Sequence, residues 1–224
     1  MYKGVIFDFN GTLFEDTDLQ ADAWAEVIRR HFGREMGPNE FRDCFHGLGN
    51  VDIVKYINSL DPEKQFDISI TDEKEEAYRQ LCRKHPDRAV FLPGVEETLD
   101  KLKAAGVPIA IATASEITNV TFFIEIFRLE HWFPREHIYY DDRTLPLKPA
   151  PDIYLRAAAG LGLDPAECVV CEDSLNGLKA AKAAGAGRII VRRSMLGKAD
   201  MYDDPRIYAV IEDFRDFYPK YLEA

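Results

Sequence analysis

The apolar run Val5-Ile6-Phe7 stops at Asp8, and Asn10, Gly11 and Thr12 follow within four residues. A short β-rich run that ends on a carboxylate and then a glycine predicts a buried strand delivering Asp8 to its carboxyl end. In an open parallel sheet that end is where ligands bind. Gly11 allows a tight turn, and successive N–H groups in such a turn form a concavity suited to an anion. A carboxylate facing an anion has two uses, as a nucleophile or as a metal ligand. Asn10 is the discordant member. An amide cannot give and take a catalytic proton as a carboxyl group can, so this position decides how active the site is.

Three further groups fall at, or just after, the carboxyl ends of predicted strands. The run ending at Ala112 delivers Thr113, Ala114 and Ser115, whose hydroxyl and N–H groups suit either helix capping or an anion. The loop at 144–152 presents Lys148 in Leu147-Lys148-Pro149-Ala150-Pro151-Asp152, where the prolines restrict the backbone. The run ending at Cys171 delivers Glu172 and Asp173, with Ser174 at a helix start. Acidic residues there can serve the helix dipole alone. Two adjacent carboxylates in the same sheet as Asp8 are better suited to a divalent cation.

The elements that must position these groups follow from periodicity. Leu19, Ala23, Val27 and Ile28 repeat on one helical face as far as His31-Phe32-Gly33, and amphipathic segments follow at about 39–46, 50–59 and 72–84, so 15–92 reads as all-helical. The texture changes at Leu92-Pro93-Gly94. A helix then ends at Gly106, and strands at 108–112, 168–171 and 188–191, with a weaker one at 207–211, alternate with helices at 153–161 and 175–184. Such alternation predicts an α/β fold, a Rossmann-like doubly wound parallel sheet covered on both faces. The expected organisation is a core of 1–14 and 93–224 with an inserted all-helical cap domain at 15–92. There is no internal repeat.

With 28 Lys and Arg against 39 Asp and Glu, the 224-residue chain carries a net charge of −11 and has no basic run. That argues against nucleic acid as a partner. No stretch approaches the roughly 18 apolar residues of a membrane helix, and the start lacks a signal peptide's basic-then-apolar layout. The expected location is cytoplasmic, with no membrane partner. Cys44, Cys82, Cys168 and Cys171 are too scattered for a disulfide framework. Cys168-Val-Val-Cys171 has the spacing of a redox or zinc motif, but as a strand it sends its thiols to opposite faces. The five histidines include no pair at helical ligand spacing, which argues against zinc.

Asp8-x-Asn10-Gly11-Thr12, the Thr113 after its strand, Lys148-Pro-Ala-Pro-Asp-Ile-Tyr and Glu172-Asp173-Ser-x-x-Gly177 together resemble the four motifs of the haloacid dehalogenase superfamily. Their order and spacing are similar to the phosphatase and β-phosphoglucomutase branch, which carries a helical cap after the first motif. The cap itself resembles that branch mainly in size, position and Trp24. The resemblance implies that Asp8 attacks phosphorus to form an aspartyl-phosphate that water then cleaves. It implies Mg²⁺ held by Asp8, the main-chain carbonyl of Asn10 and Asp173, with Glu172 behind them or acting through water. Lys148 would add positive charge to the transferring group, and Thr113 and Ala114 would bind phosphate. The expected partner is a small phosphorylated metabolite, and the expected state a monomer or weak dimer.

Family phosphatases carry Asp where this chain has Asn10, to protonate the leaving oxygen and later activate water. Three readings stay open: a Mg-dependent hydrolase of blunted activity, a non-hydrolysing phosphate-ester binding protein, and an engineered variant that traps a complex. The intact remaining motifs favour the hydrolase. A phosphomutase of the β-phosphoglucomutase type would again need Asp at position 10 and an arginine in the cap loop, which reads His46-Gly47-Leu48-Gly49-Asn50. A dehalogenase would not need Glu172-Asp173, and a phosphonate-cleaving relative would need a cap lysine, for which Lys55 is a poor candidate. Substrate choice is expected of Gln20, Trp24, His46, Gly47 and Asn50, with Ser115 from the core.

Overall fold

A computed structural model describes residues 2–46, 48–194 and 199–222. In chain order the elements are β1 (Gly4–Phe7), α1 (Thr17–Phe32), α2 (Glu40–Cys44), α3 (Asn50–Leu60), α4 (Ile70–Lys84), α5 (Val95–Ala104), β2 (Ile109–Glu116) and α6 (Ile117–Ile126). There follow β3 (Ile138–Asp141), α7 (Asp152–Gly160), β4 (Cys168–Glu172), α8 (Leu175–Ala183), β5 (Arg188–Arg192), β6 (Ala209–Ile211) and α9 (Phe217–Tyr221). They divide into two compact units, Met1–Glu15 with Val90–Ala224, and Asp16–Ala89.

The first unit is built on a parallel sheet of order β3-β2-β1-β4-β5-β6. The chain leaves β1 for β2 and β3 on one side, then returns to β4 on the other. This reversal opens a crevice at the carboxyl ends of β1 and β4, the place where such sheets bind ligands. All four residues of β1 are buried, and alternate side chains feed opposite faces. Phe7 meets Phe133 edge-on at 6.4 Å and Phe214 at 6.1 Å. Ile6 packs on the other face with Val170, Ala157, Leu178 and Ala181. The small residues of α7 and α8 let those helices sit close to the sheet. Each fully buried aliphatic side chain here contributes about 1.5–3 kcal/mol.

Two expected boundaries move and two elements are new. β2 runs on from Ala112 to Glu116, with a register irregularity between those residues, so Thr113 and Ser115 do not open a helix. The last strand shrinks to Ala209–Ile211. α6 and the edge strand β3 occupy a region where periodicity indicates neither. Cys168 packs beside Val170 on one face, leaving Cys171 to the opposite one by alternation. Burial pushes the Cys168 thiol up to about 11 and raises the Cys171 thiol well above its usual value, which disfavours the thiolate at both.

The second unit comprises α1 to α4. Its core holds Trp24, Val27, Ile28, Phe45, Ile53, Val54, Ile57 and Ile70, the residues that recur at helical spacing. α1 stops at Gly33, whose φ of 65° closes the helix through a bond to the Arg29 carbonyl. Among the described residues, no helix is long and apolar enough to cross a membrane.

Candidate active site

Parallel register sets the site. Phe7 is level with Ile111 on β2 and Cys171 on β4, so the next step along the chain brings Asp8 beside Ala112 and Glu172. The Asp8 amide donates to the Cys171 carbonyl at 2.9 Å, which fixes the residue's backbone. Its carboxylate is buried and used at both oxygens. Oδ1 accepts from Lys148 Nζ at 2.7 Å, and Oδ2 accepts from Thr12 Oγ1 at 3.0 Å. The Thr12 hydroxyl also lies 3.3 Å from Asp173 Oδ1, so it bridges the two carboxylates with a single proton.

Lys148 reaches this point from the loop before α7. Its ammonium donates to Asp8 Oδ1, to Glu172 Oε1 at 2.6 Å and to the Ala112 carbonyl at 3.0 Å. Three donors meet three acceptors, and the Tyr154 ring covers the ammonium at 4.9 Å. Glu172 is equally committed. Oε1 also takes the Tyr154 hydroxyl at 2.8 Å, while Oε2 takes the amides of Asp173 (2.8 Å) and Ser174 (2.9 Å) and the Ser174 hydroxyl (3.0 Å). Glu172 therefore orients Lys148 and ties down the turn into α8.

Ser174 also accepts from the Gly177 amide at 3.0 Å, capping α8. A Cβ on Gly177 would fall inside the Glu172 carboxylate, which cannot retreat without breaking those bonds. Gly177→Ala should therefore destabilise the protein by roughly 2–4 kcal/mol, overpacking and broken bonds outweighing the ~1 kcal/mol Ala gains in a helix. Denaturant unfolding measures this, and an unchanged midpoint would show that the turn can yield.

Asp8, Glu172 and Asp173 each offer an oxygen within 4.8 Å of the others. All three are buried close together, and the Lys148 ammonium bonds two of them, Asp8 and Glu172. Burying charge without a partner costs several kcal/mol per ion. The carboxyl of Asp8 responds: burial pushes it up to about 7 despite the pull of Lys148, with Glu172 adding to the rise. Burial alone would raise Glu172 too, but Lys148 and its hydrogen bonds hold it below the usual carboxylate value. Burial acts against the Lys148 ammonium, yet Asp8 and Glu172 keep its pKa above the ordinary lysine value.

These residues fit a small divalent cation. The donors are carboxylate oxygens, the ligands Mg²⁺ prefers, and a cation among them would relieve the crowding of like charge. The Glu172 oxygens already take two and three donors, whereas each Asp8 oxygen takes one, so Asp8 and Asp173 are the carboxylates better able to hold a cation. Gly11 makes room for Asp173. With φ at 75°, it is in the left-handed region, and a Cβ there would overlap the Asp173 carboxylate.

The remaining expected site residues are placed as follows. Thr113 is buried, and its Oγ1 accepts from the Ser115 amide at 3.1 Å. Ser115 Oγ donates to Asn10 Oδ1 at 2.8 Å. Ala114 is exposed and lines a shallow recess with Lys148, Leu147 and Tyr140. In the second unit, Trp24 was expected to face substrate but is a core residue, packed on Phe45 at 5.0 Å. Apolar surface of that size is worth more buried than exposed. Gln20 donates to Asp16 at 2.8 Å and accepts from the buried Lys74. His46 lies 6.2 Å from the Phe41 ring, Asn50 is exposed at the start of α3, and Gly47 lies outside the described residues. Sequence reasoning assigned no role to Thr12, Tyr154, Lys74 or Arg192. Thr12 and Tyr154 stand inside the motifs and could have been found there; Lys74 and Arg192 leave no local signal.

Comparison with known proteins places this geometry. The haloacid dehalogenase-like hydrolase family matches residues 2–185. Fructose-1-phosphate phosphatase YqaB of Escherichia coli is 30% identical over 191 residues, covering 85% of this chain and 97% of that protein. Among solved structures, a HAD hydrolase of family IA, variant 3, from Entamoeba histolytica superposes with a TM-score of 0.86 at 32% identity, covering 96% of this chain and 94% of the other. An aspartate-to-asparagine mutant of CbbY from Rhodobacter sphaeroides, in complex with xylulose-(1,5)bisphosphate, gives 0.81 at 28% identity, covering 96% and 95%.

Proposed function

The chain belongs to the haloacid dehalogenase-like hydrolases, and from that premise we propose that it is a Mg²⁺-dependent phosphatase of small phosphorylated metabolites, with sugar phosphates as the substrate class. The observation that carries this reading is the buried carboxylate of Asp8, held by Lys148 and Thr12 beside the buried carboxylates of Glu172 and Asp173. A carboxylate held at both oxygens, next to a cation-binding partner, is arranged to attack rather than to fold the chain. YqaB, by its name, acts on a sugar phosphate, and the CbbY structure contains a sugar bisphosphate.

Asp8 attacks phosphorus, its new O–P bond forming as the bond to the leaving alkoxide breaks. Water then cleaves the aspartyl-phosphate, releasing inorganic phosphate and restoring the carboxylate. Asp8, Asp173 and the main-chain carbonyl of Asn10 would hold Mg²⁺, which when bound offsets the repulsion between carboxylate and phosphate dianion. Lys148 contributes a fixed positive charge to the transferring group, and Glu172 and Tyr154 keep it pointed there. Thr113 and the Ala114 amide donate to phosphate oxygens. Asn10 carries no transferable proton, so departure of an alkoxide and activation of water both proceed without a general acid–base at that position. Gln20, His46 and Asn50 are assigned to substrate choice.

Asp173→Ala should weaken Mg²⁺ binding by about tenfold or more in calorimetry. Unchanged affinity would reduce Glu172-Asp173 to an anchor for α8. The reading as a whole is tested by a screen of phosphorylated metabolites with Mg²⁺, run beside Asn10→Asp. Release of phosphate from sugar phosphates by either protein supports it. The second reading, a phosphate-ester binder, is favoured by Asn10 itself; ester binding without phosphate release in either protein would establish it.

A further inference from the structure

Arg192 is the last residue of β5 and only 7% exposed. Its Nη1 donates to the main-chain carbonyl of Gly11 at 3.0 Å and to the carboxylate of Glu15. Its Nε lies 3.4 Å from the Glu212 carbonyl, just beyond β6. One side chain thus joins the end of β5, the segment after β6 and the turn after β1. That turn carries Asn10 and Thr12, and Thr12 lies against both Asp8 and Asp173.

Within the turn the Gly11 amide donates to the Phe14 carbonyl at 2.7 Å, while the remaining amides crowd one acceptor. The amides of Thr12, Leu13 and Phe14 all donate to the Phe9 carbonyl, at 3.2, 2.9 and 3.3 Å. A carbonyl has two lone pairs, so three donors on it are individually poor. From outside, the Leu92 amide donates to the Leu13 carbonyl at 2.9 Å, and two further supports act. Phe9 and Phe14 pack on Phe123 and Phe127, with closest centroids at 4.9 and 4.8 Å. Arg192 takes the Gly11 carbonyl, at the residue that has no room to move toward Asp173. Only a planar fork can serve Gly11, Glu15 and Glu212 together.

We propose that Arg192 is a positioning residue for phosphoryl transfer: it holds the Gly11 turn, and with it Asn10 and Thr12, in register with Asp8 and Asp173. The effect on rate rests on the phosphatase reading, whereas the order of the turn does not. The test is amide hydrogen exchange, Mg²⁺ calorimetry and steady-state kinetics on the full chain and its R192M, R192K and E15Q variants. In R192M, protection at Gly11, Thr12, Leu13 and Phe14 should fall about tenfold or more while the Asp8 amide, bonded to β4, keeps its own. Mg²⁺ binding should weaken severalfold, and kcat should fall about tenfold with KM little changed. R192K, which keeps the charge but not the fork, should recover part of each loss. If R192M does not fold, E15Q and R192K should show the same pattern at smaller size. Unchanged protection at the turn in the folded variants, or a loss spread evenly over β1, β4 and β5, would overturn the proposal. The expected exchange pattern in a protein that hydrolyses no ester would instead overturn the phosphatase reading and leave the role of Arg192 standing.

Discussion

Asp8→Asn should abolish turnover of every phosphate ester the protein accepts, a loss of roughly 10⁴-fold or more. The substitution removes the attacking oxygen anion and keeps the shape of the side chain. It also removes a buried carboxylate whose charged form is disfavoured by burial and by Glu172. The variant should therefore fold and, without metal, melt no lower than the parent, because a charge that burial disfavours has gone. Loss of activity together with an unchanged or raised melting temperature assigns the effect to chemistry. Residual hydrolysis within about tenfold of the parent would mean that another group attacks phosphorus.

Asn10→Asp should act in the opposite direction. A general acid–base at this position is worth about 10²–10⁴-fold, or roughly 3–5 kcal/mol of barrier. The new carboxyl is nearly isosteric with the amide, and Ser115 Oγ, 2.8 Å from Asn10 Oδ1, can donate to it in the same way. The gain should be larger for alkyl phosphates, where departure of the leaving oxygen and activation of water both profit, than for p-nitrophenyl phosphate, where only the activation of water does. Steady-state kinetics on the two esters decides the matter. Equal rates in parent and variant, with high parental activity on alkyl phosphates, would show that a different acid has replaced this one.

The parts of the molecule legible in the sequence are those where one local rule dominates. β1, β4 and β5 are short apolar runs bounded by glycine or charge, and each announces a buried parallel strand. The meeting of Asp8, Glu172 and Asp173 is legible because they stand at the ends of strands in one sheet, and that of Lys148 because prolines restrict the loop that carries it. α6 hides because its sequence, ITNVTFFIEI, is rich in β-branched and aromatic residues that favour strands, and no side chain caps it. Packing of Phe122 and Phe123 decides for helix over propensity. β3 is a short edge strand with half-buried tyrosines, so it shows neither alternation nor a continuous apolar run. For Trp24 the sequence leaves a substrate-facing and a core place both open, because an aromatic at a helix position has the same signature in either, and packing on Phe45 decides for the core. Arg192 is a long-range case: its partners lie 181, 177 and 20 residues away, and no window of sequence contains them.

Asp8 as nucleophile, with Asn10 slowing the release of its phosphoryl group, is tested most directly by rapid quench with p-nitrophenyl phosphate and Mg²⁺, followed by peptide mass spectrometry in acid. The first step needs no protonation with this ester, while the second still needs an activated water, so the phosphoryl-enzyme should accumulate. The expected result is a burst of p-nitrophenolate stoichiometric with enzyme and a phosphoryl adduct on the peptide bearing Asp8. The burst should vanish in Asp8→Asn, and in Asn10→Asp the adduct should give way to rapid steady turnover. Hydrolysis without burst or adduct in the parent, or an adduct on any other residue, would contradict the account.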